Sequence, residues 1–425
     1  MERLMQYVWQ HRLWLACDMR TTAGEPVDVL DTGLLNTNAG PDFFNAKIHI
    51  ADRTWVGNVE IHVRASDWHR HGHDSDHAYD SVILHVVGEA DTQICRPDGQ
   101  PIPTVVLPCA PDFHKRYADL VNRPLENLAC AADISSVDKI YLSDWIQSLA
   151  FERLQNKAQR IHDLAGSEGG DWSYAVWVTL ARALGFGTNA EPFERLALSL
   201  PLRTLRKHAD SLLSVESLIF GMAGFLDDAP QEVYPHRMLA EYRFLAAKFN
   251  LRQPSWLGWK MARMRPANFP HRRLATLAAI VHQGFTPGYK IFDVHTLEQA
   301  RELFDVILEG YWATRYQFGA DAAPSSRAFS PASLDGLVIN VVAPALFAYG
   351  STYGRGDMTA TAVELLQQIP AEDNKIVRLF AEAGIAVPDA FTSQALIEAR
   401  RQYCQQRKCL YCRLGHRLLT LRAKP

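Results

Sequence analysis

The chain has 425 residues, of which 48% are hydrophobic and 21% are charged, which fits a folded protein of two or three domains. The net charge is −3, and the seven cysteines are an odd number of which three lie in the last 22 residues, so a disulfide framework is not expected. Charged residues interrupt the N-terminal segment, and the longest apolar stretch is too short to span a bilayer. We therefore expect a cytoplasmic protein with no membrane partner.

The first 124 residues show the patterns of an α/β domain. Residues 1–20 have the apolar spacing of a helix. From residue 25 to residue 108, short alternating runs are separated by turn signals, which predicts strands and hairpins. The compact apolar run at 82–87 is typical of a buried strand.

After about Pro124 the apolar spacing changes to the helical period. Thr296 and Gln299 have the spacing of a capping box, and the helix predicted after it carries an apolar face as far as Tyr311. We therefore predict a larger all-helical domain over 125–395, followed by a basic, cysteine-rich tail over 396–425.

The stretch from residue 40 to residue 87 carries the strongest functional pattern. Asp42 follows a turn, and Glu60 lies on the strand that we expect to pair with the one after Asp42. Two carboxylates brought together across a hairpin can hold Mg²⁺, which prefers oxygen ligands and usually takes one or two carboxylates plus waters. A metal held in this way can bind a scissile phosphate and supply hydroxide.

A Pro-Asp pair ending at Asp42, followed by Glu60-x-His62, resembles the PD-(D/E)XK nuclease signature. The resemblance implies a restriction-endonuclease-like mixed sheet and a Mg²⁺-dependent nuclease with Asp42 and Glu60 as metal ligands. His62 stands where the signature has lysine. Histidine can polarise water or act as a base, and Lys47 could supply an ammonium group from the neighbouring strand. The alternative is a non-catalytic nucleic-acid-binding protein with the same fold.

Seven of the 16 histidines fall within residues 49–85. His71, His73 and Asp76 belong to a run that resembles the HxHxDH motif of metallo-β-lactamase-like hydrolases, with one extra residue before the aspartate. That resemblance implies a zinc-dependent hydrolase as a further alternative. A second interpretation places the same three residues beside Glu60, in contact with phosphate or a second metal. A third is a solvated polar segment.

Near the C-terminus, a C-x4-C-x2-C-x3-H string is formed by Cys404, Cys409, Cys412 and His416. Three thiolates and one imidazole suit tetrahedral Zn²⁺. Iron–sulfur exonucleases of the PD-(D/E)XK type place one cysteine ahead of the nuclease motif and three at the C-terminus, so a similarity to them implies a cluster that also uses Cys17. Zinc is our first expectation, the cluster the second, and reduced, unliganded cysteines the third.

Basic residues are segregated along the chain. Nine Lys/Arg and no Asp/Glu lie between Tyr242 and Phe292, and eight Lys/Arg and no acid lie from Arg400 to the end. Such segments are typical of a polyanionic partner, and the alternative is that they line solvated helix faces. In the first segment aromatic residues alternate with the basic ones, which suits single-stranded nucleic acid. We expect nucleic-acid contacts from four arginines: Arg263, Arg265, Arg272 and Arg273.

Short sequences spread over the first two thirds of the chain are together similar to a bacterial family that is defined only as a domain of unknown function. They are LLNT at 34–37, GPDFFNA at 40–46, GNVEIHV at 57–63, SDW at 66–68, ILHVV at 83–87, LGFGTNAEPF at 184–193, FGMAGFL at 220–226 and RPANFP at 265–270. This resemblance implies a family and supplies no activity.

Overall fold

The structure is a computed structural model, and it describes the chain apart from residues 15–17, 109–110, 125, 168, 228–231, 256, 263, 266–267, 285–289, 322–326 and 421–425. The chain forms two compact units. The first unit comprises Met1–Trp145, Glu382–Ile385 and Ala399–Pro425, and the second comprises Ile146–Ala381 and Ala386–Glu398. The C-terminal segment therefore belongs to the first unit, whereas the sequence predicts a separate tail.

A mixed six-stranded sheet lies at the centre of the first unit, as the sequence predicts. Its strands are β1 (Val27–Asp31), β2 (Leu34–Leu35), β3 (Phe43–Ile50), β4 (Arg53–Arg64), β5 (Val82–Glu89) and β6 (Thr104–Val106). β1, β3 and β4 pair in antiparallel fashion, β5 runs parallel to β4, and β6 runs parallel to β5. The short strand β2 pairs with β3.

Among the described residues, four α-helices lie entirely in the first unit: α1 (Glu2–Gln10), α2 (Asp67–Arg70), α3 (Pro111–Asn122) and α17 (Arg413–Thr420). The helix predicted over 1–20 ends early, at Gln10. Arg12 adopts a left-handed φ of 52°, and its guanidinium donates hydrogen bonds to the carbonyls of Val29 and Leu30. Tertiary contacts to β1 therefore replace the next helical turn.

The alternation of side chains along β4 separates a core from the candidate site. Val59 and Ile61 are buried in the main core of the first unit together with residues of α1. Glu60 and His62 point to the opposite face, which α2 and the turns after it cover, with Trp68 buried there. A β-bulge follows directly after Phe43 at the start of β3, and such bulges re-aim nearby side chains.

The second unit is mostly helical. Its helices are α4 (Lys139–Ser167), α5 (Trp172–Leu184), α6 (Ala190–Ser199), α7 (Leu202–Arg206), α8 (Leu212–Met222), α9 (Val233–Phe249), α10 (Pro270–His282), α11 (Leu297–Glu302), α12 (Pro331–Leu337), α13 (Ala343–Tyr353), α14 (Gly356–Gln368), α15 (Lys375–Glu382) and α16 (Ala390–Glu398). The unit boundaries fall within α4 and at the end of α15. The unit also contains a two-stranded sheet of β7 (Arg315–Gln317) and β8 (Ala320–Asp321), so the expectation of an all-helical region is corrected to a mostly helical one.

The capping box is confirmed: Thr296 Oγ1 accepts the Gln299 backbone amide, and the Gln299 side chain accepts the Thr296 amide. The helix that it begins, α11, ends at Glu302, so the apolar face predicted as far as Tyr311 is wrong. The reason is non-local, because Ile307 forms a β-bridge with a residue 20 positions further on, at Arg327.

One continuous helical run, Pro331–Tyr353, is apolar enough and long enough to cross a membrane by those two criteria alone. Among the residues that the structure describes, no other helix meets both. A share of 67% of its most apolar window is buried inside the protein, which is the environment of a core helix.

Candidate functional site

The candidate site lies on the face of β4 that carries Glu60 and His62. Both side chains are buried, and His85 of the adjacent strand β5 is directly paired with Glu60 and is fully buried as well. Alternation on β4 and parallel pairing with β5 therefore collect three ionisable groups on one face of the sheet.

Asp42 lies just before β3 and is bonded to the segment that carries Glu60. The Asp42 backbone amide donates to Glu60 Oε2 at 3.0 Å, and the Ile61 amide donates to Asp42 Oδ2 at 3.0 Å. Gln6 of α1 donates from Nε2 to Asp42 Oδ1 at 2.8 Å. The structure thus places Asp42 and Glu60 side by side, as the hairpin predicts.

The neighbouring Glu60 carboxylate affects the titration of Asp42. Burial and, after it, the negative charge of Glu60 raise the pKa of Asp42, and the hydrogen bonds from Gln6 and Ile61 act in the opposite direction. The net result is a pKa of about 7. Burial also raises the pKa of Glu2, at the start of α1, and the negative charge of Glu60 acts in the same direction. A bound cation would relieve the repulsion among these acids.

Two histidines from the segment after α2 join Glu60 and His62. The distance from His62 Nε2 to His71 Nδ1 is 3.1 Å. Glu60 Oε1 lies 3.4 Å from His62 Nε2 and 3.3 Å from His73 Nε2. One ring nitrogen from each of the three histidines lies within 4.8 Å of the other two.

These separations match the geometry of a shared metal ion. Ligand atoms about 2.0–2.1 Å from a tetrahedral Zn²⁺ lie about 3.3 Å from one another. Three imidazole nitrogens and one carboxylate oxygen suit Zn²⁺ or another first-row transition metal, whereas Mg²⁺ prefers an all-oxygen set. Asp42 and Glu60, the oxygen ligands expected for Mg²⁺, are both present. The imidazoles beside Glu60, however, favour a first-row transition metal over Mg²⁺.

The buried histidines are in the form that a metal requires. Burial lowers the pKa of His62 to about 2 and that of His85 to about 4, so both imidazoles are neutral at pH 7. His62 Nδ1 lies 2.9 Å from His85 Nε2. If His62 Nε2 faces a metal, then Nδ1 carries the ring proton and donates a hydrogen bond to His85 Nε2. This hydrogen bond orients the ligand ring. Tyr79 stacks on His73 with 3.7 Å between ring centroids. This stacking restricts the orientation of the His73 ring.

The site has an open side. His71 is exposed, in contrast to the buried His62, and a cavity of about 250 Å³ adjoins His73. The charged side chains that line this cavity are Asp74, Asp80, Arg96 and Asp98. A small molecule can therefore approach the cluster, but the lining itself is more acidic than basic.

Two residues proposed for this site lie apart from the cluster. Lys47 pairs with Val56, four residues from Glu60 along β4, which is about 13 Å. The Asp76 carboxylate accepts the Ala78 amide at 2.9 Å, as an N-cap. Of the run compared with the HxHxDH motif, the structure thus brings only the first two histidines to Glu60.

Two of the four predicted nucleic-acid arginines are buried in the second unit. Arg272 donates from Nη1 to the carbonyls of Trp312 at 2.9 Å and Arg315 at 3.1 Å. Arg273 packs over aromatic rings and donates to Asn268. Because these guanidinium groups are inside the unit, a nucleic acid at its surface does not reach them. Arg265 is exposed, and Arg263 lies outside the described residues.

The three C-terminal cysteines line one cavity of the first unit, and the fourth cysteine there is Cys130. His416, the predicted fourth zinc ligand, instead forms a hydrogen bond between its Nδ1 and the hydroxyl of Tyr7. Cys17 lies outside the described residues.

Several residues near these two sites escaped the sequence patterns. Gln6 and Glu2 are four apart on α1, a spacing that places both on one helix face and is the signal that could have found them. His85 looked like an interruption of an apolar strand. Cys130 is isolated in sequence, and no local pattern connects it with the C-terminal cysteines.

The first unit thus carries a candidate metal centre of histidines and carboxylates on a mixed sheet. The chain belongs to the family described as "Protein of unknown function (DUF2851)", whose model matches residues 2–375. This confirms the family resemblance found in the short sequences. The match covers the candidate metal centre and ends before the C-terminal cysteines. Comparisons with curated proteins and with solved structures gave no match.

Proposed function

We propose that the first unit is a metal-dependent nuclease whose metal is held by Glu60, His62, His71 and His73. The observation that carries the proposal is the convergence of three imidazole nitrogens within 4.8 Å of one another, with Glu60 Oε1 in contact with two of the rings. Imidazole nitrogens gathered around a carboxylate oxygen are the ligand set of a typical transition-metal site.

The fold around the cluster supports the phosphodiester as substrate. A helix precedes an antiparallel run of β1, β3 and β4, and a crossover through α2 leads to the parallel strand β5. Asp42 precedes the second long strand, and Glu60-x-His62 lies on the third. This is the order in which the PD-(D/E)XK signature places its acids, with His62 at the lysine position.

A divalent metal at this site would polarise a phosphoryl oxygen and lower the pKa of a bound water. The protein's own groups would divide the remaining work. Asp42, with a pKa of about 7, can accept a proton near neutral pH. Glu60, His62 and His73 hold their geometry through buried contacts, and the exposed His71 closes the ligand set on the side open to substrate.

The lining of the neighbouring cavity is more acidic than basic. Asp74, Asp80 and Asp98 outnumber Arg96, so a phosphate gains little from the cavity alone. Its binding must come mainly from the metal. Nucleic-acid binding at this site should therefore require metal, which distinguishes it from binding by a basic surface.

The test uses the full chain stripped with a chelator and reloaded with Zn²⁺, Mn²⁺ or Mg²⁺ in turn. Metal binding is measured by calorimetry, and cleavage is measured on labelled single- and double-stranded DNA and RNA. We expect binding of a first-row metal and metal-dependent cleavage. Glu60→Gln and His62→Gln should each lower metal affinity by a hundredfold or more, the upper range seen when support of a ligand is removed.

His77→Gln is the matched control, because His77 is exposed in the same segment and its ring contacts the carboxylate of Asp80, outside the cluster. It should keep both activities. Metal binding without cleavage, together with metal-dependent retention of nucleic acid, would support the non-catalytic alternative that His62 in place of lysine suggests. Failure to bind any divalent metal would refute the site itself.

A further inference from the structure

Four cysteines of the first unit line a single cavity: Cys130, Cys404, Cys409 and Cys412. All four are free thiols, not disulfides. They come from two parts of the chain that are far apart in sequence, the turn after α3 and the segment before α17. Thiols gathered in this way without oxidation are typical of a metal site in a reducing compartment.

The charges around the cavity suit an anionic centre. Its lining includes Arg123, Arg400 and Arg407, and among the described residues that form it there is no Asp or Glu. Arg400 donates a hydrogen bond to the Cys404 thiol, and the charge of Arg407 acts on Cys409. Four thiolates on a metal centre carry net negative charge, which guanidinium groups in the lining of the same cavity offset.

The backbone between the last two cysteines and α17 is shaped around the sulfurs. The amides of Leu414 and Gly415 donate to the Cys412 thiol. A Cβ on Gly415 would collide with the carbonyl oxygen of Cys409, so only glycine allows this close approach. Amide groups directed at a ligating sulfur are one of the means by which proteins tune iron–sulfur clusters.

The spacing of the sulfurs separates two kinds of metal centre. Four thiolates about 2.3 Å from one tetrahedral zinc lie about 3.8 Å from one another. Among the described part of the chain, the only set of three potential ligand atoms that are mutually within 4.8 Å is that of the three histidines. No three of the four sulfurs therefore lie within 4.8 Å of one another, so they are not gathered as closely as the ligands of one zinc ion. A cluster in which each thiolate binds a different iron holds its cysteine sulfurs further apart than a single zinc ion does.

We propose that Cys130, Cys404, Cys409 and Cys412 hold a 4Fe–4S cluster, with one thiolate on each iron. Cys130 takes the place that the sequence interpretation gave to Cys17, and His416 is not a ligand because it is bonded to Tyr7. The cluster fastens the returning C-terminal segment to the turn after α3, inside the first unit. This inference does not depend on the proposed nuclease function.

The first test uses the wild-type full chain, purified under argon and reconstituted with ferrous iron and sulfide. We expect a brown protein with iron and acid-labile sulfide in equal amounts, approaching about four of each per chain as a four-cysteine cubane requires. Reduction with dithionite should give the paramagnetic resonance signal of a reduced cluster. One zinc per chain with no sulfide, or a colourless protein after reconstitution, would overturn the proposal. This measurement needs no variant and so does not depend on whether a variant folds.

Variants then identify the ligands. Cys130→Ser and Cys412→Ser should each lose most of the iron, whereas Cys17→Ser, Cys95→Ser and His416→Ala should retain it. Circular dichroism of each variant checks that it has folded. Retention of iron by folded Cys130→Ser, or its loss in Cys17→Ser, would contradict the assignment of the fourth ligand.

Discussion

The raised pKa of Asp42 predicts that its charge destabilises the metal-free protein, and Asp42→Asn should remove that cost. The ordinary pKa of this group is 3.8, and in the fold it is about 7. Between these values the folded state keeps a proton that the unfolded state has lost, so stability falls as the pH rises through this window. A shift of about three units corresponds to about 4 kcal/mol, and solvent screening of the partly exposed carboxylate reduces this to roughly 2–3 kcal/mol.

The hydrogen bonds of Asp42 survive this substitution. An asparagine Oδ1 can accept the Ile61 amide, and its Nδ2 can donate to Gln6 if the Gln6 amide turns over, because that side chain offers an oxygen as well as a nitrogen. The Asp42 backbone amide keeps its bond to Glu60. The expected gain is therefore mainly electrostatic and is not cancelled by an unpaired buried group.

The assay is hydrogen exchange of the β4 segment in chelator-treated full chain, because a local opening free energy avoids the assumption that two units unfold together. The local opening free energy of Asp42→Asn should exceed that of wild type, and this difference should grow by about 2 kcal/mol between about pH 5 and about pH 8. Asp52→Asn, an exposed change in the β3–β4 turn, should show no such growth. Zn²⁺ should stabilise the wild type more than it stabilises Asp42→Asn. An advantage that is constant with pH, or a variant that is weaker at pH 8, would refute the reasoning.

Three further outcomes are expected. The folded pKa of His62 is lowered to about 2, below its ordinary 6.5, so metal-free protein should lose stability as the pH falls below 6.5. In urea titrations, His62→Gln should reduce this dependence of the unfolding free energy on pH by about 1.4 kcal/mol per pH unit. Arg153→Ala should cost about 3–5 kcal/mol in thermal unfolding of the second unit, because it strips the ion pair at 2.9 Å from the buried Glu398 carboxylate. Arg272→Ala should lower the free energy of unfolding by about 2–4 kcal/mol in the same assay, whereas Arg265→Ala, at an exposed position, should change it by no more than about 0.5 kcal/mol. The reverse order would show that the burial of Arg272 is unimportant.

Local signals in the sequence were sufficient for the strands that carry the acids. The turn before Asp42 and the alternation around Glu60 predict a hairpin, and a hairpin brings its two strands together whatever the rest of the chain does. The capping box at Thr296 succeeded for the same reason, since its two hydrogen bonds lie within four residues. The β3–β4 hairpin and the start of that helix followed from short-range chemistry alone.

Features that depend on distant contacts could not be predicted in this way. The end of α11 is set by the bridge between Ile307 and Arg327, not by its own sequence. His71 and His73 meet His62 only because α2 folds back over the sheet, and that return has no periodic signal. Cys130 is the extreme case, because its neighbours in space come from the other end of the chain.

The discontinuity of the first unit has a consequence for the order in which the protein can fold during synthesis. Leu410 and Leu419 belong to the same buried core as α1 and the sheet. The ribosome produces the whole second unit before it produces these two residues, and domains generally fold as units in the order of their synthesis. The N-terminal sheet must therefore wait, with part of its core exposed, until the last segment emerges. The residues of the proposed metal centre are made early and are therefore held in an incompletely folded unit for most of translation. Chaperones would protect them from aggregation during this period, as would bound metal if the proposed site is correct.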